Sequence, residues 1–366
     1  MDAEFDIAVV GAGMAGASLA AALQAHGPGG RRVLLLEAEE RPGYHATGRS
    51  AAFWTESYGG PGVQPLTTAS GRALRELGVL TPRGALTIGR AGQEGEVAAF
   101  AQRYCAVGID VRLLDRAGLD ARVPGLRPEW TCGALEPSTC DIDVAALHQH
   151  YLAQARRGGV ELRCRAGLAA AERTASGWTL ALGDGQQVRA RVLVNAAGAW
   201  ADAVAVAAGL SPLGIAPYRR TIAQLSLAVA VPEDLPLVLD VGERFYFKPE
   251  SGRLWLSPHD ETPSGACDAA AEEIDVALAI DRFEHVVDWP VERVEHRWAG
   301  LRSFAPDRLP VYGFAPQDPA FFWFAGQGGF GIQTAPAAAD LAARLLLGAP
   351  AAAVDPAPYD PARFRQ

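Results

Sequence analysis

Lysine is almost wholly missing from this chain of 366 residues: of its 33 basic residues, every one except Lys248 is arginine. A GC-rich genome produces that bias by itself, so arginine as a type says little here and each one is judged by its setting. Excess positive charge is missing too. The formal net charge is −9, which argues against nucleic acid as a partner, because phosphate binding needs clustered Lys and Arg. Cysteine is sparse, odd in number and never closely paired: the five lie at 105, 132, 140, 164 and 267. That set frames no disulfide scaffold, metal site or iron–sulfur cluster, and it fits a reducing compartment. No apolar run is long enough to span a bilayer. The first one, Ile7–Val10, follows Asp2, Glu4 and Asp6 rather than the positive charge that opens a secretory signal. The expectation is a soluble cytoplasmic protein with neither a membrane span nor a nucleic-acid partner. Internal repeats, HExxH, a GxSxG turn and carboxylates paired in an obvious cleft are also absent.

What is present is ordinary globular composition, 49% hydrophobic and 20% charged, at a length that suggests two closely packed domains. Ile7–Val10 reads as a buried strand. It runs into Gly11-Ala12-Gly13-Met14-Ala15-Gly16, then the helix-forming stretch Ala17–Leu23, which His26-Gly27-Pro28-Gly29-Gly30 stops. A second strand, Arg32–Leu36, ends on Glu37. Each part has a task. Gly11 permits the tight turn, Gly13 lets a pyrophosphate approach the backbone, and Gly16 lets helix and strand pack closely. The free N–H groups at the helix start, with Met14 and Ala15, meet the phosphates. Glu37, beside Ala38, is placed to accept the ribose hydroxyls. This pattern predicts a dinucleotide site, and its place at the head of a long chain favours FAD over NAD.

Val192–Asn195 reads as a further strand, opening into the small-residue turn Ala196-Ala197-Gly198-Ala199-Trp200. Val160–Cys164 is a plausible strand, and Trp178–Leu182 begins a hairpin. Phe321–Ala325 is another strand, followed by the glycine loop Gly326–Gln333 and an amphipathic helix over 334–347. A glycine loop opening a helix is a second place where N–H groups can face negative charge. The fold class expected is an α/β FAD-binding Rossmann-type domain, discontinuous over 1–85, 141–214 and 298–366. A mainly antiparallel α+β substrate domain would be inserted twice, at 86–140 and 215–297. The Pro- and Ala-rich tail after Gly348 reads as loosely structured.

With these segments assembled, the chain resembles the D-amino-acid oxidase superfamily of flavoproteins, and within it most resembles bacterial D-arginine dehydrogenases. The resemblance covers nearly the whole chain. It is carried by Pro42–Ala52, by Asp141-Ile142-Asp143 with Leu147-His148-Gln149, by Asn195–Trp200, by Trp298-Ala299-Gly300-Leu301-Arg302-Ser303-Phe304, and by Gln327–Gln333. It implies FAD, two domains and hydride transfer from substrate Cα to the flavin. It also implies cofactor contacts at His45, Thr47, Gly48, Arg49, Ser50, Ala51 and Ala52, and at Leu168, Ala196, Ala197, Gly198 and Trp200. Gly328, Gly329, Phe330, Gly331, Ile332, Gln333 and Arg302 complete that set. One branch of the superfamily binds its flavin through a cysteine where this chain reads Asp307–Tyr312; no cysteine stands there, so noncovalent FAD is expected.

The same resemblance implies that Arg220 and Arg302 hold a substrate carboxylate, with Tyr58 and Tyr246 over it and Gln333 nearby. Alternation along a strand sends Arg219 and Arg220 to opposite faces. Thr55, Gly329 and Ile332 match other pocket positions. The family's guanidinium-holding acid falls on Ala85, its pocket histidine on Phe53, and its pocket methionine and valine on Leu237 and Leu239. D-Arginine therefore fits poorly, and neutral or hydrophobic side chains fit better. No side-chain base is evident; carbonyls near Gly329 and ordered water are the expected proton acceptors, and His148 reads as a helix-surface or packing residue rather than a catalyst. The activity implied is oxidative deamination of a free D-amino acid at CH–NH2, giving a 2-oxo acid and ammonia. Oxygen and a quinone or other acceptor remain alternatives, so oxidase and dehydrogenase both stay open. A sarcosine- or glycine-type secondary-amine oxidase is the alternative within the class. A non-catalytic flavin-binding electron-transfer subunit is the alternative outside it.

Overall fold

The computed structural model describes residues 4–26, 30–350 and 353–364. The acidic start at Asp2 and the Gly27–Gly29 part of the helix stop lie outside them. Val, Leu and Phe runs with no polar alternation form strands buried on both faces. Glu4–Val10 sits centrally, parallel to Val33–Leu36 on one side and to Gln187–Asn195 on the other. Glu161–Arg163 extends the sheet beyond Val33–Leu36, and Asp318–Ala325 joins Gln187–Asn195, both in parallel. The hairpin strands Leu168–Thr174 and Gly177–Leu182 add an antiparallel edge. Helices Met14–Ala25, Val144–Arg157 and Ala335–Leu347 cover one face through Leu19, Leu23, Leu147, Ala338 and Leu341.

The second sheet is mainly antiparallel. Its central pair is Ala216–Leu227 against Val291–Phe304. Beyond the first strand lie Arg253–Ser257, Tyr246–Glu250 and Leu237–Asp240, and then Ala85–Arg90 and Trp130–Glu136. One face packs on helix Glu273–Glu284 through Phe245, Phe247 and Phe283; the other turns towards the first sheet. Tyr246, between Phe245 and Phe247, points to that other face and joins Phe53, Ala85 and Leu237. Strand Val291–Phe304 runs unbroken across the expected domain boundary at residue 298, and Ala85 already belongs to a strand of this sheet. A three-stranded sheet, Phe53–Trp54, Cys140–Ile142 and Leu80–Pro82, links the two layers.

The tail departs from expectation. Among its described residues it is not loose: two short 3-10 turns, Ala357–Tyr359 and Pro361–Phe364, lie there. The Tyr359 ring packs on Tyr312, and its hydroxyl donates to the Gly62 carbonyl at 2.9 Å. Arg363 donates to Asp307 and to the Leu309 and Pro310 carbonyls. Proline-rich composition describes low internal pairing, but it does not reveal an aromatic and an arginine that dock elsewhere. Among the described residues no helix is long and apolar enough to cross a membrane, and no cluster of residues could hold a metal ion.

Candidate active site

A cavity of about 610 Å3 runs from Glu37 to Arg302, across the ends of the parallel strands and along the seam with the second sheet. Its nucleotide end is built by local backbone necessity. Gly11 has φ +100°, and a Cβ there would lie 2.5 Å from the Ala196 carbonyl oxygen. A Cβ on Gly16 would lie 1.8 Å from the Gly11 carbonyl oxygen, so only glycine brings this helix onto its strand. No side chain caps the helix at Gly13; Thr47 Oγ1 accepts the Met14 N–H at 2.9 Å. Glu37 is 8% exposed and is oriented by the N–H groups of Ala12 and Glu39 at 3.1 and 3.0 Å. His148, buried beneath the turn, contacts the Ala12 carbonyl oxygen through Nε2 at 2.9 Å. Of the two readings, helix surface or packing, burial selects packing.

Further along, His45 touches Glu39 at 2.9 Å and packs at a tilt on Trp200, ring centroids 4.6 Å apart, and both line the cavity with Ala38 and Leu168. Ala196, Ala197 and Gly198 form the floor after strand Gln187–Asn195, and the Asn195 amide donates to the Ala201 carbonyl to fix that turn. Arg49, Ser50 and Ala51 form the middle wall, with Gly328, Gly329, Gly331 and Ile332 opposite. Five residues of the expected cofactor set lie elsewhere. Gly16 and Gly48 make close backbone packing, at the carbonyls of Gly11 and Gly43. Phe330 packs its ring on Tyr58 and Phe304. Ala52 and Gln333 border only a narrower space beyond Arg302.

The arginines come from the central strand pair of the second sheet. Its register sets Arg220 opposite Gly300 and Arg302 opposite Tyr218, so the two guanidiniums lie diagonally on one face. Arg219 points the other way, to Glu272 and Asp275 on the helix behind. A Cβ on Gly329 would lie 2.7 Å from Arg302 Nη1 and would push the guanidinium aside. Arg302 donates to the Tyr58 hydroxyl at 2.5 Å, and among the described residues no carboxylate pairs with it. Arg220 is 3% exposed; it donates to the Asp260 carbonyl at 2.7 Å and to Glu261 at 3.2 Å, while its Nη1 is buried without a partner. Burial and then the Arg302 charge lower the Arg220 pKa. An unsatisfied guanidinium nitrogen beside a second cation is a standing site for an anion.

Three aromatic rings close this end. Phe53 lies edge-on to Tyr58 at 5.2 Å and to Tyr246 at 6.0 Å. The space bordered by Phe53, Tyr58, Tyr246, Arg302, Ile332 and Gln333 is only about 20 Å3, room for about one water. Ala85 and Leu237 are buried behind these rings with Leu239 packed against them, and none of the three borders either cavity. Thr55 is buried with its hydroxyl unpartnered.

Two features went unread in the sequence. His259, held in left-handed backbone at φ +55°, sets its ring edge-on to Tyr246 and Tyr58 at 5.8 and 6.5 Å. Burial, then Arg220 and Arg302, lower its pKa to about 2, so it is neutral here. The segment around Cys267–Ala269 also lines the cavity: Asp268 pairs with Arg49 and accepts from the Tyr44 hydroxyl at 3.0 Å. No local pattern marks either.

The fit to FAD is direct. A glycine cradle at a helix start, a buried acid beyond it and a second glycine turn at Gly328–Gly331 lie along one continuous cavity of cofactor size. Residues 6–345 match the family model DAO, FAD dependent oxidoreductase. Glycine oxidase of Pseudomonas aeruginosa is 30% identical over 183 residues, covering 48% of this chain and 47% of that protein. Among the leading curated relatives, the chain spans between 47% and 66% of their length. Two solved structures share the fold: glycine oxidase from Geobacillus kaustophilus, TM-score 0.85 at 22% identity over 98% of both chains, and L-proline dehydrogenase from P. horikoshii, TM-score 0.87 at 19% identity over 100% of this chain and 98% of that one. The fold, the cradle and the family match agree: this chain belongs to the DAO family of FAD-dependent oxidoreductases.

Proposed function

We propose that this enzyme oxidises the Cα–N bond of a free amino acid with a small, neutral side chain, giving the 2-oxo acid and ammonia after hydrolysis of the imine. The observation that carries this is the buried, unpartnered Nη1 of Arg220 beside Arg302. The two guanidiniums would take the substrate carboxylate from two sides, with Tyr58 and Tyr246 over it, and so fix Cα in one place. FAD, held without a covalent bond, supplies hydride acceptance from Cα. The neighbouring cations favour a neutral amine over an ammonium, as the chemistry needs. His259 stays neutral beside them and adds no further charge. The preference for the D-enantiomer rests on the resemblance to D-amino-acid oxidases, and Ala85 and Phe53 speak against a cationic side chain. The Phe53 ring and the narrow space beside it favour the smallest members of the class.

A second reading, glycine- or sarcosine-type amine oxidation, is favoured by that same narrowness and by the glycine oxidase relative. One experiment separates them: anaerobic mixing of the FAD-loaded protein with glycine, sarcosine and matched D- and L-amino acids, followed by air. Bleaching by D-alanine but not L-alanine supports the first reading. Bleaching by glycine and sarcosine alone supports the second, and no bleaching by any of them rejects both. The rate of recolouring in air reports whether oxygen is the acceptor.

A further inference from the structure

The turn Thr55–Tyr58 carries the tyrosine that caps Arg302, and two side chains hold its backbone from opposite sides. From the FAD side comes Gln333. Its Oε1 accepts the Thr55 N–H at 3.2 Å, and its Nε2 donates to the Tyr58 carbonyl at 3.1 Å and to Thr67 Oγ1 at 3.0 Å. With those bonds made, the amide is spent on protein. From the second sheet comes Glu136. Its Oε1 accepts the Glu56 N–H at 2.8 Å, and its Oε2 accepts the Ser57 N–H at 3.4 Å. The Ser138 hydroxyl adds a bond to Oε1 at 3.4 Å.

Glu136 is an unusual residue to find there. It is 1% exposed, ends strand Trp130–Glu136 opposite Ala85, and has no cation paired with it among the described residues. Burial raises its pKa, against the pull of the Ser57 side chain and then of the two N–H donors. A buried carboxylate without a counter-cation is costly, and an apolar side chain would serve strand packing better. What an apolar residue cannot do is accept from two successive N–H groups. Downstream the chain turns through Gly59 and Gly60, at φ +102° and +79°, which leaves Gln333 and Glu136 to hold the turn. The result is a Tyr58 hydroxyl held within hydrogen-bonding distance of Arg302.

We propose that Glu136 is a positioning residue of the carboxylate site: it holds the turn so that Tyr58 stays on Arg302, and it reaches the substrate only through Tyr58. This rests on reading Arg220 and Arg302 as the carboxylate clamp. The test titrates acetate into the FAD-loaded enzyme and follows the flavin absorbance, for wild type, E136A, E136Q, Y58F, E136A/Y58F, E136Q/Y58F and R302M. E136A should raise the acetate dissociation constant about tenfold, the scale of one lost hydrogen bond to a charged group. E136Q, which keeps one acceptor, should recover part of that. In the Y58F background neither substitution should have a further effect. An unchanged dissociation constant in E136A, or the same factor with and without the Tyr58 hydroxyl, overturns the proposal. If E136A does not fold, E136Q and its cycle with Y58F decide the matter by the same criterion. The two readings fail separately. Wild-type acetate affinity in R302M removes the clamp itself, whereas loss in R302M without loss in the Glu136 variants removes only the role of Glu136.

Discussion

Arg302 has no carboxylate partner among the described residues, and one nitrogen of Arg220 has no partner of any kind. Removing one member of a desolvated pair of charges leaves the other uncompensated. Arg302→Met should therefore lower kcat/KM by about 10²–10³-fold, and steady-state kinetics on the best substrate checks it. A variant within a few-fold of wild type would refute the clamp. Phe53 makes a different prediction. Its ring fills the space between Tyr58 and Tyr246, so Phe53→Ala should widen the range of side chains accepted. The ratio of kcat/KM for D-leucine to that for glycine should rise by about tenfold, the scale of a few methylenes in an apolar pocket. At this scale the sequence was legible where a motif surrounds the residue: Gly11, Gly13 and Glu37 follow from one unbroken pattern. It was not legible for Glu136 or His259. The groups that Glu136 holds lie 80 residues away in sequence, and nothing near either residue announces a partner.

Among the elements, the strap around Asp268 closes over the cavity beside Arg49 and Tyr44. Bonds first from Arg49 and then from Tyr44 lower the Asp268 pKa, so it is charged at neutral pH. The Asp268 side of the pair is exposed, which limits its strength. Asp268→Asn should speed FAD release roughly two- to fivefold, read by the recovery of flavin fluorescence on dilution, and an unchanged rate would show that the strap does not retain the cofactor. Element positions were largely readable: period-two alternation separated Arg219 from Arg220 and Tyr246 from its phenylalanine neighbours. The tail was misread because its order comes from Tyr359 docking near Gly62, a contact across most of the chain.

For the molecule as a whole, two bulk measurements apply. Acid precipitation should release the flavin, since no cysteine stands in Asp307–Tyr312. Colour kept in the precipitate would instead implicate Cys267, which does border the cavity. Stability should also carry the mark of Glu136. Its folded pKa is raised by burial, so the folded state holds this proton more tightly than the unfolded chain does. The resulting stabilisation is complete below the ordinary glutamate value and is lost as pH rises through the raised one. The Tm of Glu136→Gln should therefore gain on wild type as pH rises through that window; parallel curves would contradict the assignment. The alternation of the two architectures along the chain was visible in the sequence as a change of period. The point of passage between them was not, because strand Val291–Phe304 belongs to one sheet by hydrogen bonding while its last residues serve the cavity of the other.

That strand pair also separates what is fixed in this enzyme from what can vary. The spacing of Arg220 and Arg302 is set by ladder hydrogen bonds between neighbouring strands, a diagonal of about 7–8 Å between backbones that no side-chain substitution changes. The Phe53 ring carries no such constraint. Substitutions there should redirect what is bound while the grip on a carboxylate persists, so the scaffold lends itself to changing selectivity without rebuilding the reaction.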